Sequence, residues 1–478
     1  MKLGRIRALI VLVLFLAPAG QRRAEAYSLL THEQLIELTW QRSIVPLLLS
    51  RYPDLTPAQL DQARAYAYGG CVIQDIGYYP FGDAFFSNLA HYVRTGDFVV
   101  SLFRNATNAD ELAFAVGALS HYVGDSLGHP LATNISVPVE FPDLRAKYGS
   151  VVNYAEGRHQ HIQTEFAFDI NEIAHHRTAP VRYLRHIGLK VPVRQLALAV
   201  YQTYGITEDF SQKKRRRFNV RDYRFAVHTF IPRIAYAVTL LHRKHEPADT
   251  ATPEAVEFEK EVAALSASEN WDAYRRHAGI GTYMLAGFLF ILPKVGPISL
   301  VAVKGPTEST ESEYVHSVTV STTVLREMLA RFTPPASRPA GTSSLAIDSR
   351  GPAPNAPRAN NGSGDDVLLE SRDPRHPLPN RDLDTGRVVQ PGGYSLTDST
   401  YARLLHRLTQ QPTGPIPPGI KEEIQAYYSN LDLPIATKKN PEQWAQVQTD
   451  LKTLDAMPTS RAPEPYPTYG DEAESGQN

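Results

Sequence analysis

The sequence lacks the material that several common architectures need. It has one cysteine, Cys71, in 478 residues, which excludes an intramolecular disulfide framework and any zinc module built from several cysteines. Its 49 lysines and arginines balance 50 aspartates and glutamates, so it has no bulk positive charge to hold it on nucleic acid. It also shows no heptad or solenoid repeat. A chain that is 42% hydrophobic is otherwise able to bury a large core, and any metal site must use its 16 histidines and its carboxylates.

Long apolar runs are missing as well, and none is long enough to cross a bilayer. The N-terminal run Ala8–Leu16 follows a basic stretch and precedes small-residue cleavage sites, the second at Ala24-Glu25-Ala26. This order is typical of a secretory signal peptide. We therefore expect residues 1–26 to be removed, so that a secreted or periplasmic protein begins at Tyr27. An uncleaved N-terminal anchor is the alternative interpretation.

Helix-start signals are distributed through residues 27–332. Thr31 and Thr56 each begin a capping box that ends in glutamine three residues later. Asn108 and Thr252 stand at two further predicted helix starts. Strand-like alternation is scarce, so the sequence predicts an all-α fold for this region.

The composition changes abruptly after this helical region. Residues 333–393 are rich in proline, glycine, serine, asparagine and aspartate, a composition that predicts a disordered linker. Residues 394–478 follow as a helical tail, with three short helices expected at Leu396–Leu408, Ile420–Leu431 and Pro441–Met457. The tail is predicted to form either a small accessory unit or a segment docked on the main body.

Spacing along the first 170 residues points to a metal site. His121, Asp125 and His129 stand at i, i+4 and i+8, which places them within roughly an 80° arc of one helix face. His161 and Glu165 repeat the i, i+4 spacing. With three donors upstream, the candidate ligands are His32, Asp75, His91, His121, Asp125, His129, His161 and Glu165. Inward-facing donors on amphipathic helices are how helical bundles build polynuclear metal sites, and imidazole with carboxylate favours zinc, with manganese or iron as alternatives. Taken alone, His121 and Asp125 have an ordinary hydrogen-bonded pair as their alternative interpretation.

In this order, the residues resemble the motif of the zinc-dependent phospholipase C superfamily, which has an all-helical catalytic domain. The family pattern is a mature N-terminal residue, a histidine, an aspartate, a histidine, a His-x-x-x-Asp…His element and a final His-x-x-x-Glu. The chain offers these as Tyr27, His32, Asp75, His91, His121, Asp125, His129, His161 and Glu165. The resemblance implies a multi-helix catalytic domain over residues 27–332, about three Zn²⁺ ions and a phospholipid substrate.

One spacing departs from the bacterial phosphatidylcholine-preferring members of the family. In those enzymes the third histidine of the motif lies six residues after the aspartate, whereas His129 lies four residues after Asp125. The shorter spacing is more similar to the catalytic domain of glycosylphosphatidylinositol-specific phospholipase D, a relative that cuts the other side of the phosphate. C-type and D-type cleavage therefore both stay open, as does the headgroup.

The resemblance also implies a role for each donor. It distributes them over three ions: Asp75, His91, His121 and Asp125 on the first, Tyr27, His32 and a bridging Asp125 on the second, and His129, His161 and Glu165 on the third. Tyr27 would bind through its free amine and its carbonyl. Asp75 would also act as the base that orients the attacking water, and the reaction implied is hydrolysis of a phosphodiester by zinc-activated water.

Two further segments bear on membranes. The apolar run Tyr283–Leu292 is either a buried helix or an interfacial element, since it is too short to span a bilayer. Lys213–Arg217 is a run of five cations, which is either a solvated turn or a patch that attracts anionic lipid surfaces. Peripheral membrane contact is therefore one interpretation, and the oligomeric state is not indicated.

Two alternative functions stay open at this point. One is a single-strand nuclease of the same trizinc fold, although we expect no stable nucleic-acid complex. The other is a non-catalytic, zinc-stabilised exported protein whose tail carries a binding function.

Overall fold

Capping side chains begin several helices where the sequence predicts them. The structure, a computed structural model, describes residues 29–78, 82–207, 220–242, 251–275, 279–291, 305–333, 376–410 and 415–459. Thr56 accepts a hydrogen bond from the N–H of Gln59 in a full capping box, with Pro57 at the first helical position. Asn108 and Thr252 each accept from the backbone N–H three residues on. These three predicted helix starts are confirmed.

The predicted cap at Thr31 is wrong. The helix already includes Leu29, and Thr31 lies inside it. The hydroxyl of Thr31 donates to Oδ1 of Asp169 at 3.1 Å, and the N–H of Leu30 donates to Oδ2 of the same carboxylate at 3.1 Å. A carboxylate from a distant helix thus satisfies this first turn, which no local capping rule could indicate.

The described part of the main body is helical throughout. Its helices are α1 (Leu29–Thr39), α2 (Val45–Arg51), α3 (Pro57–Gly70), α4 (Ala84–Tyr92), α5 (Thr95–Asn105), α6 (Ala109–Gly128), α7 (Asn134–Glu140), α8 (Pro142–Tyr148), α9 (Tyr154–Ala174), α10 (Val181–Ile187), α11 (Val193–Tyr204), α12 (Val220–Phe225), α13 (Ile231–His242), α14 (Pro253–Ser268), α15 (Trp271–Tyr274), α16 (Ile280–Ile291) and α17 (Glu308–Phe332). A 3₁₀ turn covers Gln74–Gly77, and a π-helical turn, His129–Thr133, follows α6 directly. Among the described residues the only β contacts are two isolated bridges, so the all-α prediction is confirmed.

Two glycines bring α3 and α6 into close contact. A Cβ on Gly70 would lie 2.1 Å from the carbonyl oxygen of Phe114, and a Cβ on Gly117 would lie 2.2 Å from that of Ala67. Neither position has room for a side chain, so the two backbones can touch only through glycine. This contact sets the end of α3 beside the middle of α6, where His121 lies.

The C-terminal tail docks on the main body. Its helices are α18 (Ser395–Thr409), α19 (Pro418–Tyr427) and α20 (Pro441–Ala456), close to the predicted bounds. Leu408 and Ile420 are buried and pack at Gly205, just after α11. Their side chains belong to the same hydrophobic core as the main body, so the described part of the tail shares that core.

The end of the predicted linker is ordered, which corrects the assignment of residues 333–393 as disorder. Residues 376–393 lie against α4, α5 and α6. Tyr122 donates to the carbonyl oxygen of Pro379 at 2.7 Å, and His376 contacts both carboxylate oxygens of Asp97, at 2.8 and 2.9 Å. Hydrogen bonds to the body offset the ordering entropy that the composition makes large. Residues 334–375 of that segment fall outside the described residues, as do residues 1–28 and the cationic run 213–217.

Helix α16 is only partly buried. Ala286 and Leu289 pack with Ala237 and Val238 of α13. On its other side, Ile280, Met284 and Phe290 are 81%, 61% and 73% exposed. No helix in the described ranges is both long and apolar enough to cross a bilayer.

Candidate metal centre

His121 is held by a backbone carbonyl. Its Nδ1 lies 2.9 Å from the carbonyl oxygen of Cys71, just past the end of α3. A carbonyl can only accept a hydrogen bond, so Nδ1 donates, and in the neutral ring Nε2 keeps its lone pair. That lone pair faces Oδ2 of Asp125, one helical turn further along α6, at 3.0 Å.

His91 is arranged in the same way at the end of α4. Its Nδ1 donates to the carbonyl oxygen of Ser87, one turn earlier, at 2.7 Å. Its Nε2 lies 3.2 Å from Oδ1 of Asp75 and 3.4 Å from Oδ2 of Asp125. It also lies 3.4 Å from Nε2 of His121, so two imidazole lone pairs meet at the same carboxylate oxygen.

Asp125 faces imidazoles with both of its oxygens. Nε2 of His32 lies 3.3 Å from Oδ1, while His91 and His121 lie on the Oδ2 side. The rings of His32 and His121 stack with centroids 4.1 Å apart. Asp125 is therefore placed between two groups of donors, as a bridging carboxylate must be.

A second cluster lies where α6 ends. Nε2 of His129 and Nε2 of His161 lie 3.3 and 2.8 Å from Oε1 of Glu165. His161 and Glu165 are one turn apart on α9. Nδ1 of His129 lies 2.8 Å from the carbonyl oxygen of Leu383, so this imidazole too is oriented by a backbone carbonyl, one that comes from the far end of the chain.

The donor set fits a metal ion. All eight residues are buried, none more than 1% exposed. Within the described ranges, the ion pairs of Asp75 and Asp125 are all with imidazoles, and none of their carboxylate oxygens has a hydrogen-bond donor. Imidazole nitrogens and anionic oxygens that converge in a buried site are the donors that a metal cation binds. Two ligands about 2.05 Å from a tetrahedral zinc ion lie about 3.3 Å apart, close to the separations seen here.

The electrostatics of the site follow from the same convergence. Burial acts against the charged form of His91, but the carboxylates of Asp125 and Asp75 raise its pKa well above the ordinary value. Burial would raise the pKa of Asp125, yet His121 and His32 hold it well below its usual range. Burial lowers the pKa of His161 to about 4, so this imidazole is neutral at pH 7, the form that binds a metal.

The structure brings together every predicted donor that it describes. Donor atoms within 4.8 Å of one another form three groups: His32, His121 and Asp125; Asp75, His91 and His121; and His129, His161 and Glu165. His121, Asp125 and His129 follow one helical path, since the N–H of His129 still donates to the carbonyl oxygen of Asp125. His129 joins the group with His161 and Glu165. The third group is the set that the family resemblance implied for one ion, whereas the first two groups share His121 where the resemblance shared Asp125. Tyr27 falls outside the described residues.

Sequence reasoning missed the residues that orient the imidazoles. The carbonyl of Ser87 could have been found, because a histidine in a helix can reach the carbonyl four residues earlier. The carbonyls of Cys71 and Leu383 carry no sequence signal, since any residue type supplies the same acceptor. They depend on how α3 and residues 376–393 pack on α6.

Comparison with known proteins agrees with this centre. Residues 31–209 match the family model described as zinc dependent phospholipase C. All eight donors from His32 to Glu165 fall inside the match. The chain therefore carries a domain of the zinc-dependent phospholipase C superfamily in residues 31–209. No curated protein and no solved structure matches the chain.

Proposed function

We propose that the chain is an exported zinc-dependent phosphodiesterase that hydrolyses phospholipids with a metal-activated water. One observation carries the proposal: buried imidazoles converge on the carboxylates of Asp75 and Asp125, which pair with no lysine or arginine among the described residues. The family match supports zinc as the ion and a phospholipid as the substrate class. A closed structural site would use four protein ligands on one ion, whereas these donors are divided among neighbouring groups and leave positions for water.

We assign three zinc ions to the centre. Asp75, His91 and His121 would hold the first, with Asp125; His32, the second oxygen of Asp125 and the N-terminus of Tyr27 would hold the second; and His129, His161 and Glu165 would hold the third. Bound zinc would supply a nucleophilic water at neutral pH and neutralise the phosphodiester oxygens.

Asp75 is the residue we assign as general base. It lies on the short 3₁₀ turn Gln74–Gly77 at one side of the cluster. Its Oδ1 faces His91 at 3.2 Å, and Oδ2 has no hydrogen-bond donor among the described residues. A carboxylate with one oxygen toward the metal ligands and one available to accept a proton can orient a water for in-line attack on phosphorus.

Export and chemistry are connected through Tyr27. Cleavage after Ala26 would expose the amine that chelates the second ion, so only a chain beginning at Tyr27 completes that group. We expect a form with extra N-terminal residues to fold, bind about one zinc ion fewer and hydrolyse phosphodiesters poorly. Proteolysis that leaves Tyr27 first should restore both properties. Full activity with full zinc content in the extended form would remove Tyr27 from the ligand set.

The exposed side of α16 is proposed as a peripheral membrane contact. Ile280, Met284 and Phe290 present apolar side chains to solvent while the other side of the helix is packed on α13. A hydrolase whose substrate lies in a bilayer has a use for an apolar helix that lies in the interface. We expect Ile280→Ser with Met284→Ser to lower sedimentation with phosphatidylcholine vesicles. Val256→Ser, at an exposed position of α14, is the control; equal binding of all three proteins would exclude this surface.

A metal analysis joined to a substrate screen tests the proposed function. We expect the mature protein to contain close to three equivalents of zinc and to hydrolyse phosphatidylcholine or phosphatidylinositol. A chelator should abolish turnover and lower the melting temperature, and added Zn²⁺ should restore both. Separating diacylglycerol from phosphatidic acid among the products distinguishes C-type from D-type cleavage. Fewer than two metal equivalents, or hydrolysis of single-stranded DNA alone, would contradict the proposal.

A further inference from the structure

A segment outside the family-matched region reaches the metal centre. Residues 376–394, called the strap here, run across the ends of α4 and α6. The strap begins 167 residues after the match ends at residue 209. It is nonetheless tied to the helices that carry the donors, and its residues Arg381, Asp382 and Asp384 are buried.

Hydrogen bonds fix the strap at its first half. The hydroxyl of Thr95 donates to the carbonyl oxygen of Arg381 at 2.8 Å and accepts from the N–H of the same residue at 2.9 Å. The N–H of Leu383 donates to the carbonyl oxygen of His91 at 3.0 Å. The strap therefore contacts the backbone of one candidate ligand directly.

Asp384 anchors the strap on its other side. Its Oδ2 accepts hydrogen bonds from the hydroxyls of Tyr92, at 2.8 Å, and Tyr394, at 2.6 Å. Its carbonyl oxygen accepts from the side-chain amide of Asn134 at 2.8 Å. These contacts fix the residue next to Leu383, so they help to keep the carbonyl of Leu383 directed at His129.

The tip of the strap packs on α6 through a glycine. Arg381 and Val388 form an antiparallel bridge that closes a tight turn. In this turn Gly386 has φ of 69°, and a Cβ there would lie 2.3 Å from the carbonyl oxygen of Ser126. Ser126 follows Asp125 directly, so no other residue type allows the strap to sit this close to the centre.

We propose that the strap is a positioning element of the metal centre, which sets the tautomer and orientation of His129 through the carbonyl of Leu383. The inference rests on the proposed zinc centre. A neutral imidazole that donates from Nδ1 presents the Nε2 lone pair, and partners of this kind typically change metal affinity by about 10–100-fold. For His91 and His121 the carbonyls that accept from Nδ1 belong to Ser87 and Cys71, which lie inside the matched region. Among these three histidines only His129 depends on the strap, and His129 belongs to the third ion.

The test displaces the strap without touching a donor. Gly386→Val should push the tip away from Ser126 and weaken the third zinc ion by about 10–100-fold, leaving the other ions unchanged in competition with a chromogenic chelator. Co²⁺ substitution should show the loss of one cobalt absorption component. Gly188→Val is the matched control, because Gly188 also has positive φ, 88°, but nothing within 4 Å of its Cβ. Circular dichroism checks that both variants keep their helices.

A second variant covers the case in which Gly386→Val does not fold. Asp384→Ala removes the acceptor of Tyr92 and Tyr394, so it should weaken binding of the same single ion. Asp384→Asn keeps one acceptor oxygen and should weaken that binding less.

Three outcomes would contradict the inference. If the unsubstituted protein holds zinc and both strap variants keep all ions at full affinity, the inference is wrong while the proposed function stands. Higher activity with full zinc content would also overturn it, by making the strap a lid. An unsubstituted protein without zinc would overturn both.

Discussion

Two buried clusters of carboxylates in this protein satisfy their charge in different ways. Glu172 and Glu311 share the guanidinium of Arg177, which lies 2.7 Å from Glu172 and in direct contact with Glu311. Asp75 and Asp125 lie at comparable burial, yet in the described ranges they contact imidazoles only. Both clusters would be unstable as bare anions.

The difference separates a structural charge cluster from a functional one. Where the chain supplies its own cation, as at Arg177, the carboxylates are neutralised internally and no further ligand is needed. Where the partners are imidazoles, whose neutral form offers a lone pair, a metal ion from solution can take the place of that cation. The histidines around Asp125 therefore indicate a metal site because of the ring nitrogens that they direct at its carboxylate. Their number alone would not indicate one.

The largest expected effect comes from removing the bridge. Asp125→Asn takes one negative charge from between two groups of donors, so we expect loss of about two zinc equivalents and of detectable turnover. Metal content per protein, measured after gel filtration, checks this directly. Retention of all ions by the variant would show that Asp125 is an ordinary hydrogen-bonding partner of His121 and would remove the contrast with Arg177.

Asp75→Asn should have a narrower effect. Asp75 faces one group of donors, so its amide variant should keep most of the zinc and lose turnover, provided the carboxylate orients the attacking water. The informative quantity is the ratio of activity loss to zinc loss in Asp75→Asn and Asp125→Asn. Equal metal loss in the two variants would contradict separate bridging and base roles.

Arg177→Gln tests the other cluster. Removing the guanidinium leaves two buried carboxyls with no cation, which typically costs about 3–5 kcal/mol of folding free energy. Denaturant unfolding measures the change, and zinc content per folded molecule should not fall. Arg42→Gln, at a side chain that is 65% exposed in its pair with Glu261, is the control and should stay within about 0.5 kcal/mol. A similar loss of unfolding free energy in both variants would mean that burial does not determine how much these ion pairs contribute to stability.

The smallest expected effect is a pH dependence at Glu311. Burial and the neighbouring carboxylate of Glu172 raise the pKa of Glu311 from 4.5 to about 8, although Arg177 opposes the shift. A raised carboxyl pKa means that the folded state holds the proton more tightly than the unfolded state. The stability this provides is complete below about pH 4.5 and is lost as pH rises to about 8.

Glu311→Gln removes that dependence. The melting temperature of the variant, relative to the unsubstituted protein, should therefore rise between pH 5 and pH 9, by an amount equivalent to at most a few kcal/mol. Glutamine still offers an oxygen to Arg177. A constant difference across this pH range would show that Glu311 is ionised throughout.

Much of the fold and the centre was accessible from local rules. The caps at Thr56, Asn108 and Thr252 depend on residues three positions apart, so the sequence alone is sufficient to predict them. The i, i+4 pairs are equally local, because one helical turn sets their geometry. What failed was long-range: Asp169 replaces the cap predicted at Thr31, and residues 376–393 are ordered by partners nearly 300 positions earlier.

The composition of the strap also shows why it was misread. Proline, glycine and aspartate are frequent both in disordered segments and in tight turns that expose backbone groups for pairing. Averaged over residues 333–393 the two cases look alike. A disordered segment and a docked turn differ only in their hydrogen-bond partners, such as Thr95 for Arg381. No local pattern in the sequence identifies those partners.

The strap has a consequence for the order in which the protein can mature. Leu383 follows His129 by 254 residues, which at about 5–20 residues per second of synthesis is a delay of roughly 13–50 s. For most of that time the residues of α6 and α9 have been made, but the acceptor for Nδ1 of His129 has not. The Ser87 and Cys71 carbonyls, by contrast, are made before the imidazoles they hold. In the proposed zinc centre, the third position would therefore reach its full metal affinity only after Leu383 has been made and the strap has folded back on α6.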